Sequence, residues 1–216
     1  MDKQRMPAGE SESIRASRAK VRKVGIVGAG QMGSGIAHVV ALSGYNVAIN
    51  DIAKERFDTS VGLIEKNMMR QVTRGKISEA DKSAAIKRIT FAPKLDDFAD
   101  ADLVVEAATE DEDVKKKIFI ALCPHLKRDA MLATNTSSIS ITRLAAATDR
   151  PDRFIGMHFM NPVPVMELVE LIRGIATEDD TFNTSRGFVE SLGKTIAVSE
   201  DFPAFIVNRI LLPMIN

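Results

Sequence analysis

A short apolar run, Val24-Gly25-Ile26-Val27, ends on Gly28-Ala29-Gly30-Gln31-Met32-Gly33, and a helical pattern follows it to Gly44. No other stretch restricts the fold as much. Gly28 permits a tight turn out of a strand, Gly30 lets the backbone approach a diphosphate, and Gly33 allows close packing of the next helix on the strand. The N-terminus of that helix then faces negative charge. The next strand candidate, Asn46 to Asp51, closes on an acid. It stands where a carboxylate about 20 residues further on accepts hydrogen bonds from an adenine ribose 2′-hydroxyl. A glycine-rich turn alone is common, but set in a matched βαβ frame it predicts a dinucleotide site. Gly28, Gly30, Gln31, Met32, Gly33 and Asp51 would line that site. An acid at position 51 repels a 2′-phosphate, which favours NAD over NADP.

From Val21 onward short β-like runs alternate with helical ones. Phe57, Val61, Ile64, Met68 and Val72 form one stripe of a long amphipathic helix. Ser78 and Asp81 read as a capping box opening a helix through Ile89. Leu103 to Val105, Met131 to Thr134, Phe154 to Phe159, Glu167 to Ile172 and Thr195 to Val198 are further strands. Val114, Ile118, Ala121, Leu122 and His125 mark a helix between the first two, with Lys115 mostly off the apolar stripe. Two more helices are read at about Ile139 to Thr148 and Asp179 to Leu192. Such alternation predicts an α/β fold: a doubly wound, mostly parallel sheet of the Rossmann kind over residues 21–200. Residues 1–20 read as a disordered polar leader. They lack the apolar core of a secretory signal and carry acids that a mitochondrial transit peptide avoids.

Composition narrows the function. Lys plus Arg and Asp plus Glu both number 29, and this balance argues against a nucleic-acid coat or a membrane-surface protein. One cysteine and three histidines exclude an internal disulfide and leave little room for a metal cage, so no metal is expected. No stretch approaches the run of about 20 apolar residues that crosses a bilayer. A cytoplasmic, reducing location is expected.

Among the histidines, His158 ends a strand at the sheet edge where open α/β folds place their ligand crevice. Glu170 on the following strand could hold its ring and raise its basicity. His38, opposite the apolar stripe of its helix, and His125, after Pro124, read as structural. Asn135-Thr136-Ser137-Ser138 follows another strand, either as a polar turn or as part of the crevice. Ser137 with His158 and Glu170 raises a Ser-His-Glu hydrolase. However, the G-x-S-x-G elbow that exposes such a nucleophile is absent, and a hydrolase leaves the dinucleotide turn unexplained. Glu106, Glu110 and Lys115 follow a strand on the same edge. Lys66, Arg70 and Arg74 recur at helical spacing, as a solvated face or as a landing strip for a polyphosphate ligand.

The strings VGIVGAGQMGSGIA, DLVVEAATED, ATNTSSISIT, RFIGMHFMNPVPVMELVE and FIVNRILLP cover most of Lys23 to Pro213 in order. In these the chain resembles the NAD-binding domain of the 3-hydroxyacyl-CoA dehydrogenases, nearest their bacterial 3-hydroxybutyryl-CoA members. The resemblance implies reversible NAD-linked oxidation of an (S)-3-hydroxyacyl-CoA thioester to the 3-oxoacyl-CoA. It implies His158 as general acid/base on the C3 oxygen, oriented by Glu170, with Ser137 on substrate and cofactor and Asn208 near the substrate carbonyl. Glu110, Lys115 and Asn161 fall on cofactor-contacting positions, and Arg74 falls near a residue that contacts CoA, with Arg70 and Lys66 beside it. In the family an all-helical domain follows Pro213 and supplies the dimer interface and one wall of the acyl pocket. Residues 201–216 are therefore expected to be an interdomain segment and the start of that domain, cut short here. Ala204 stands where relatives usually carry glycine.

Two rivals accompany this reading. One is an NAD-binding module without turnover. The other is the β-hydroxyacid dehydrogenases, which share the fingerprint but use a lysine-centred site not found here.

Overall fold

The computed structural model describes residues 12, 14, 20–202 and 205–210. The expected leader lies outside the described residues apart from Glu12, Ile14 and Lys20, as do Ala204 and everything beyond Ile210.

Eight strands form one sheet. They are β1 (Lys23–Val27), β2 (Asn46–Asn50), β3 (Ile89–Phe91), β4 (Leu103–Glu106), β5 (Met131–Thr134), β6 (Phe154–Phe159), β7 (Leu168–Arg173) and β8 (Thr195–Glu200). Their order across the sheet is β3-β2-β1-β4-β5-β6-β7-β8. Every neighbouring pair is parallel except β6 and β7, which run antiparallel. The helices are α1 (Gln31–Leu42), α2 (Lys54–Thr73), α3 (Glu79–Lys87), α4 (Glu112–Leu122), α5 (Ile141–Ala145) and α6 (Asp179–Ser191).

Burial alternates along the strands between two cores. Ile26, Ile49 and Val105 join Val40, Met68 and Phe188 on one face, while Val27, Val104 and Leu132 join Phe98, Phe119 and Phe154 on the other. A sheet covered on both sides needs strands apolar on both sides, as this sequence supplies. The doubly wound, mostly parallel sheet expected from the sequence is the one found.

Three expectations are corrected. The helix opened by the Ser78–Asp81 capping box ends at Lys87, and Ile89 begins the short edge strand β3. On α4 the buried face is Lys115, Phe119 and Leu122, whereas Val114 is exposed. The stripe was misplaced because a lysine was assumed to face water. His38 is likewise buried, with Nε2 3.1 Å from Gln71 Oε1 and Nδ1 without a partner. Burial pushes its pKa down. His125 is exposed and pairs with Asp96.

Because β1, β2, β4, β5 and β6 run the same way, their carboxyl ends share one edge. That edge presents Gly28, Asp51, Glu106, Asn135 and His158. The reversed strand β7 starts at this edge, which brings Glu170 there as well.

Candidate active site

The glycine turn leaves β1 with Gly28 at φ +104°, a left-handed conformation that side chains resist. A Cβ on Gly33 would lie 1.8 Å from the carbonyl oxygen of Gly28, so helix and turn can only meet this closely at glycine. Gly30 differs: a Cβ there would meet no atom within 4 Å. Packing does not require that glycine, and open space stands in front of it. No side chain caps the N-terminus of α1, and its first turn holds no acid. An open cradle and uncapped backbone donors fit the diphosphate of a dinucleotide. Gln31 reaches across the crevice to donate to Asn161 Oδ1 at 3.1 Å. Met32 turns partly inward and packs on the core.

Asp51 does more than the sequence suggested. Its Oδ2 accepts from the Ala29 amide at 2.7 Å and its Oδ1 from the Ile52 amide at 2.8 Å, so it clips the glycine turn to the end of β2. Arg56 Nε lies 3.7 Å from Oδ1. Beside it a cavity of about 700 Å³ is lined by Gly28, Asp51, Arg56, Lys94, Thr109 and Ile118 among others. Asp51→Ala removes both the acceptor for a ribose hydroxyl and the clip, and leaves Arg56 without its acid. A hydrogen bond to a charged group contributes about 1.5–3 kcal/mol, so NADH affinity should fall ~10-fold or more and the preference over NADPH should narrow. Fluorescence titration of both cofactors measures this. An unchanged ratio would move the ribose contact elsewhere.

At the end of β4, Glu106 and Lys115 are both fully buried and paired, with Nζ 2.5 Å from Oε2. Lys115 also donates to Thr134 Oγ1 at 3.4 Å and Asn135 O at 3.3 Å, while Glu106 accepts from Thr134 Oγ1 at 2.8 Å and the Ala108 amide at 2.8 Å. Lys115 thus presents no surface to solvent. It lies behind the crevice and fixes the loops that form its wall. Sequence reasoning missed this pair, although Glu106 closing an apolar strand and Lys115 in helical phase with Phe119 and Leu122 were both visible. Glu110 Oε1 accepts from Thr136 Oγ1 at 2.7 Å and the Ser137 amide at 2.6 Å, setting the Asn135–Ser138 loop. Asn208 Nδ2 donates to Ser137 O at 3.2 Å.

His158 stands directly opposite Glu170 in the antiparallel register. Its Nδ1 lies 2.6 Å from Glu170 Oε2, and the two side chains are 8% and 0% exposed. With Nδ1 on a carboxylate, the imidazole is oriented with Nε2 as its working atom. Among the described residues Nε2 has no partner. Glu170 uses its other oxygen as well: Oε1 accepts from the Ile206 amide at 2.9 Å and the Val207 amide at 2.8 Å.

The basic strip divides. Arg70 and Arg74 line a cavity of about 680 Å³ together with Lys76, Lys194, Glu167 and Pro162. Lys66 is exposed and lies outside that lining. Lys194, unremarked in the sequence, donates to Val163 O at 2.6 Å and Met166 O at 2.7 Å, bracing the loop after Asn161. Burial pushes its pKa down, opposed by Glu167. No group of three or more His, Cys, Asp or Glu suited to a metal ion exists among the described residues. Nor is any helix there long and apolar enough to cross a membrane.

A dinucleotide cradle, a carboxylate-held histidine and a polar loop on one edge of a doubly wound sheet define a nucleotide-dependent oxidoreductase domain. Residues 23–202 match the family model described as 3-hydroxyacyl-CoA dehydrogenase, NAD binding domain. The chain is 63% identical over 198 residues to the 3-hydroxybutyryl-CoA dehydrogenase of Bradyrhizobium diazoefficiens, covering 92% of this chain and 68% of that one. It is 43% identical over 197 residues to the probable 3-hydroxybutyryl-CoA dehydrogenase of Bacillus subtilis, covering 91% and 69%. Among solved structures it matches the (S)-3-hydroxybutyryl-CoA dehydrogenase of Ralstonia eutropha with a TM-score of 0.89 and 48% identity, over 91% of this chain and 69% of the other. The chain belongs to the 3-hydroxyacyl-CoA dehydrogenase family, whose NAD-binding domain it carries.

Proposed function

We propose that this chain is an NAD-dependent oxidoreductase acting at C3 of short (S)-3-hydroxyacyl-CoA thioesters, with His158 as the proton-transfer group. The observation that carries this is the cross-strand His158–Glu170 pair at 2.6 Å on the edge that also holds the glycine turn. The bound nicotinamide supplies the two-electron acceptor or donor for the hydride at C3. His158 Nε2 takes the proton of the C3 hydroxyl during oxidation and returns it to the C3 oxygen during reduction. Glu170 keeps the ring in the tautomer and orientation this needs. Ser137 and Asn208, joined by the hydrogen bond to Ser137 O, are assigned to hold the C3 oxygen and the thioester carbonyl. Gly28, Gly30, Gln31, Gly33, Asp51 and Asn161 bind the cofactor, and Glu110 shapes the loop beside it. Lys115 acts from behind that wall.

Acetoacetyl-CoA-dependent loss of NADH absorbance tests the activity. NADH binding without turnover would favour a nucleotide-binding module. The CoA tail is assigned to the cavity of Arg70 and Arg74, whose guanidinium groups suit phosphate oxygens. Accordingly, Arg74→Glu should raise the KM for CoA thioesters about fivefold or more and leave that for pantetheine thioesters within twofold. Equal effects on both would return Arg74 to a solvated face. Dimerisation through a helical domain after Pro213, as the resemblance implies, is tested by sedimentation of a chain that includes one.

A further inference from the structure

The segment leaving β8 is fixed at two points, first by its own carboxylate Asp201 and then by the carboxylate of Glu170 on β7. At its start, Asp201 reaches the N-terminus of α5: Oδ1 accepts from the Ile141 amide at 2.8 Å, and Oδ2 from the Thr142 amide and Ser140 Oγ, each at 2.8 Å. Burial works against the charged carboxylate, but hydrogen bonds from Thr142, Ile141 and Ser140 outweigh it and hold its pKa low. Further on, Glu170 Oε1 accepts the Ile206 and Val207 amides, while its Oε2 holds His158. Between these anchors Phe205 is buried at φ +48°, an unfavourable conformation for a non-glycine residue that persists only where its surroundings enforce it. Its ring centroid lies 6.1 Å from that of His158.

We propose that Asp201 is a positioning residue for His158: it latches the segment to α5, so that Phe205 covers the imidazole and two amides fix the second oxygen of Glu170. This rests on His158 being the proton-transfer group. The same segment carries Asn208 to Ser137, so one latch sets both ends of the substrate site. A carboxylate accepting three donors cannot be replaced by an amide without turning an N–H against one of them. Asp201→Asn should therefore release the segment.

Hydrogen exchange in the ¹⁵N-labelled chain reads this without turnover. Asp201→Asn should speed exchange of the Ile206 and Val207 amides and of the His158 Nδ1 proton at least tenfold. The Ile26 and Val105 amides in the central strands should change less than twofold. Ser140→Ala removes one donor and keeps the carboxylate. It should give an intermediate effect, and it carries the test should Asp201→Asn fail to fold. In the turnover assay kcat should fall about tenfold with NADH affinity unchanged. A His158 ring proton exchanging at the wild-type rate in both variants overturns the latch, even if the amides are freed. A wild-type chain that binds NADH without turnover overturns the proposed reaction and leaves the exchange result standing.

Discussion

His158→Ala lowers the rate of acetoacetyl-CoA reduction about 10²- to 10⁴-fold, the contribution of a positioned general acid or base, while NADH binds with its affinity changed less than twofold. The separation follows from the architecture. The cofactor cradle is built on the β1 turn and clipped by Asp51 to β2. His158 lies at the end of β6, separated from β1 by β4 and β5 in the sheet. Removing its imidazole takes away the group proposed to exchange the proton of the C3 oxygen and touches none of the bonds that shape the glycine turn. It does leave Glu170 without its imidazole partner, although Oε1 keeps the Ile206 and Val207 amides. His158→Gln, closer in volume, should be as inactive with less loss of stability. Steady-state rates alongside NADH fluorescence measure both quantities. Wild-type turnover in His158→Ala would remove the histidine from the reaction, and lost NADH binding would mean that the two ends of the crevice are coupled.

The His158–Glu170 geometry shows what in this site was legible and what was not. Both residues were identifiable from their strands, and so was the edge on which they meet. The direction of β7 was not read, yet the signal was present. The connection from Phe159 to Leu168 is shorter than the dozen or so residues that a parallel crossover requires. Only the antiparallel register makes the pair direct cross-strand neighbours. Strand β3 was lost for a different reason: its three residues follow a helix without an intervening glycine or proline, and so short a run carries no period of its own. The glycine turn and Asp51 were readable because both fall at the spacing of the dinucleotide fingerprint. The second duty of Asp51, the Ala29 clip, depends on three-dimensional proximity that no local pattern encodes. The same holds for Asp201, whose partners on α5 lie some 60 residues earlier in the chain.

Lys115 is the residue whose environment the sequence concealed most, and its replacement should have the largest effect on stability. Lys115→Met keeps the length and packing of the side chain in α4 but strands Glu106, which is 0% exposed, without its cation. Breaking a buried pair from one side costs about 3–5 kcal/mol, because the remaining charge keeps only the Thr134 hydroxyl and the Ala108 amide and has neither water nor a counter-ion. At roughly 2–4 °C per kcal/mol for a chain of this size, Tm should fall by about 6–20 °C. Making both members apolar should be milder, since no uncompensated charge remains. Glu106→Leu with Lys115→Met should therefore recover most of the lost Tm. It should not recover cofactor binding to the same degree: the Ala108 amide loses its acceptor and Asn135 O its donor, and both belong to loops on the crevice edge. Calorimetry and NADH titration of the two single variants and the double variant distinguish these roles. Should Lys115→Met melt with the wild-type chain, the pair is not buried as described. Should the double variant recover binding as fully as stability, Glu106 and Lys115 serve the fold alone and the crevice wall is held by other contacts.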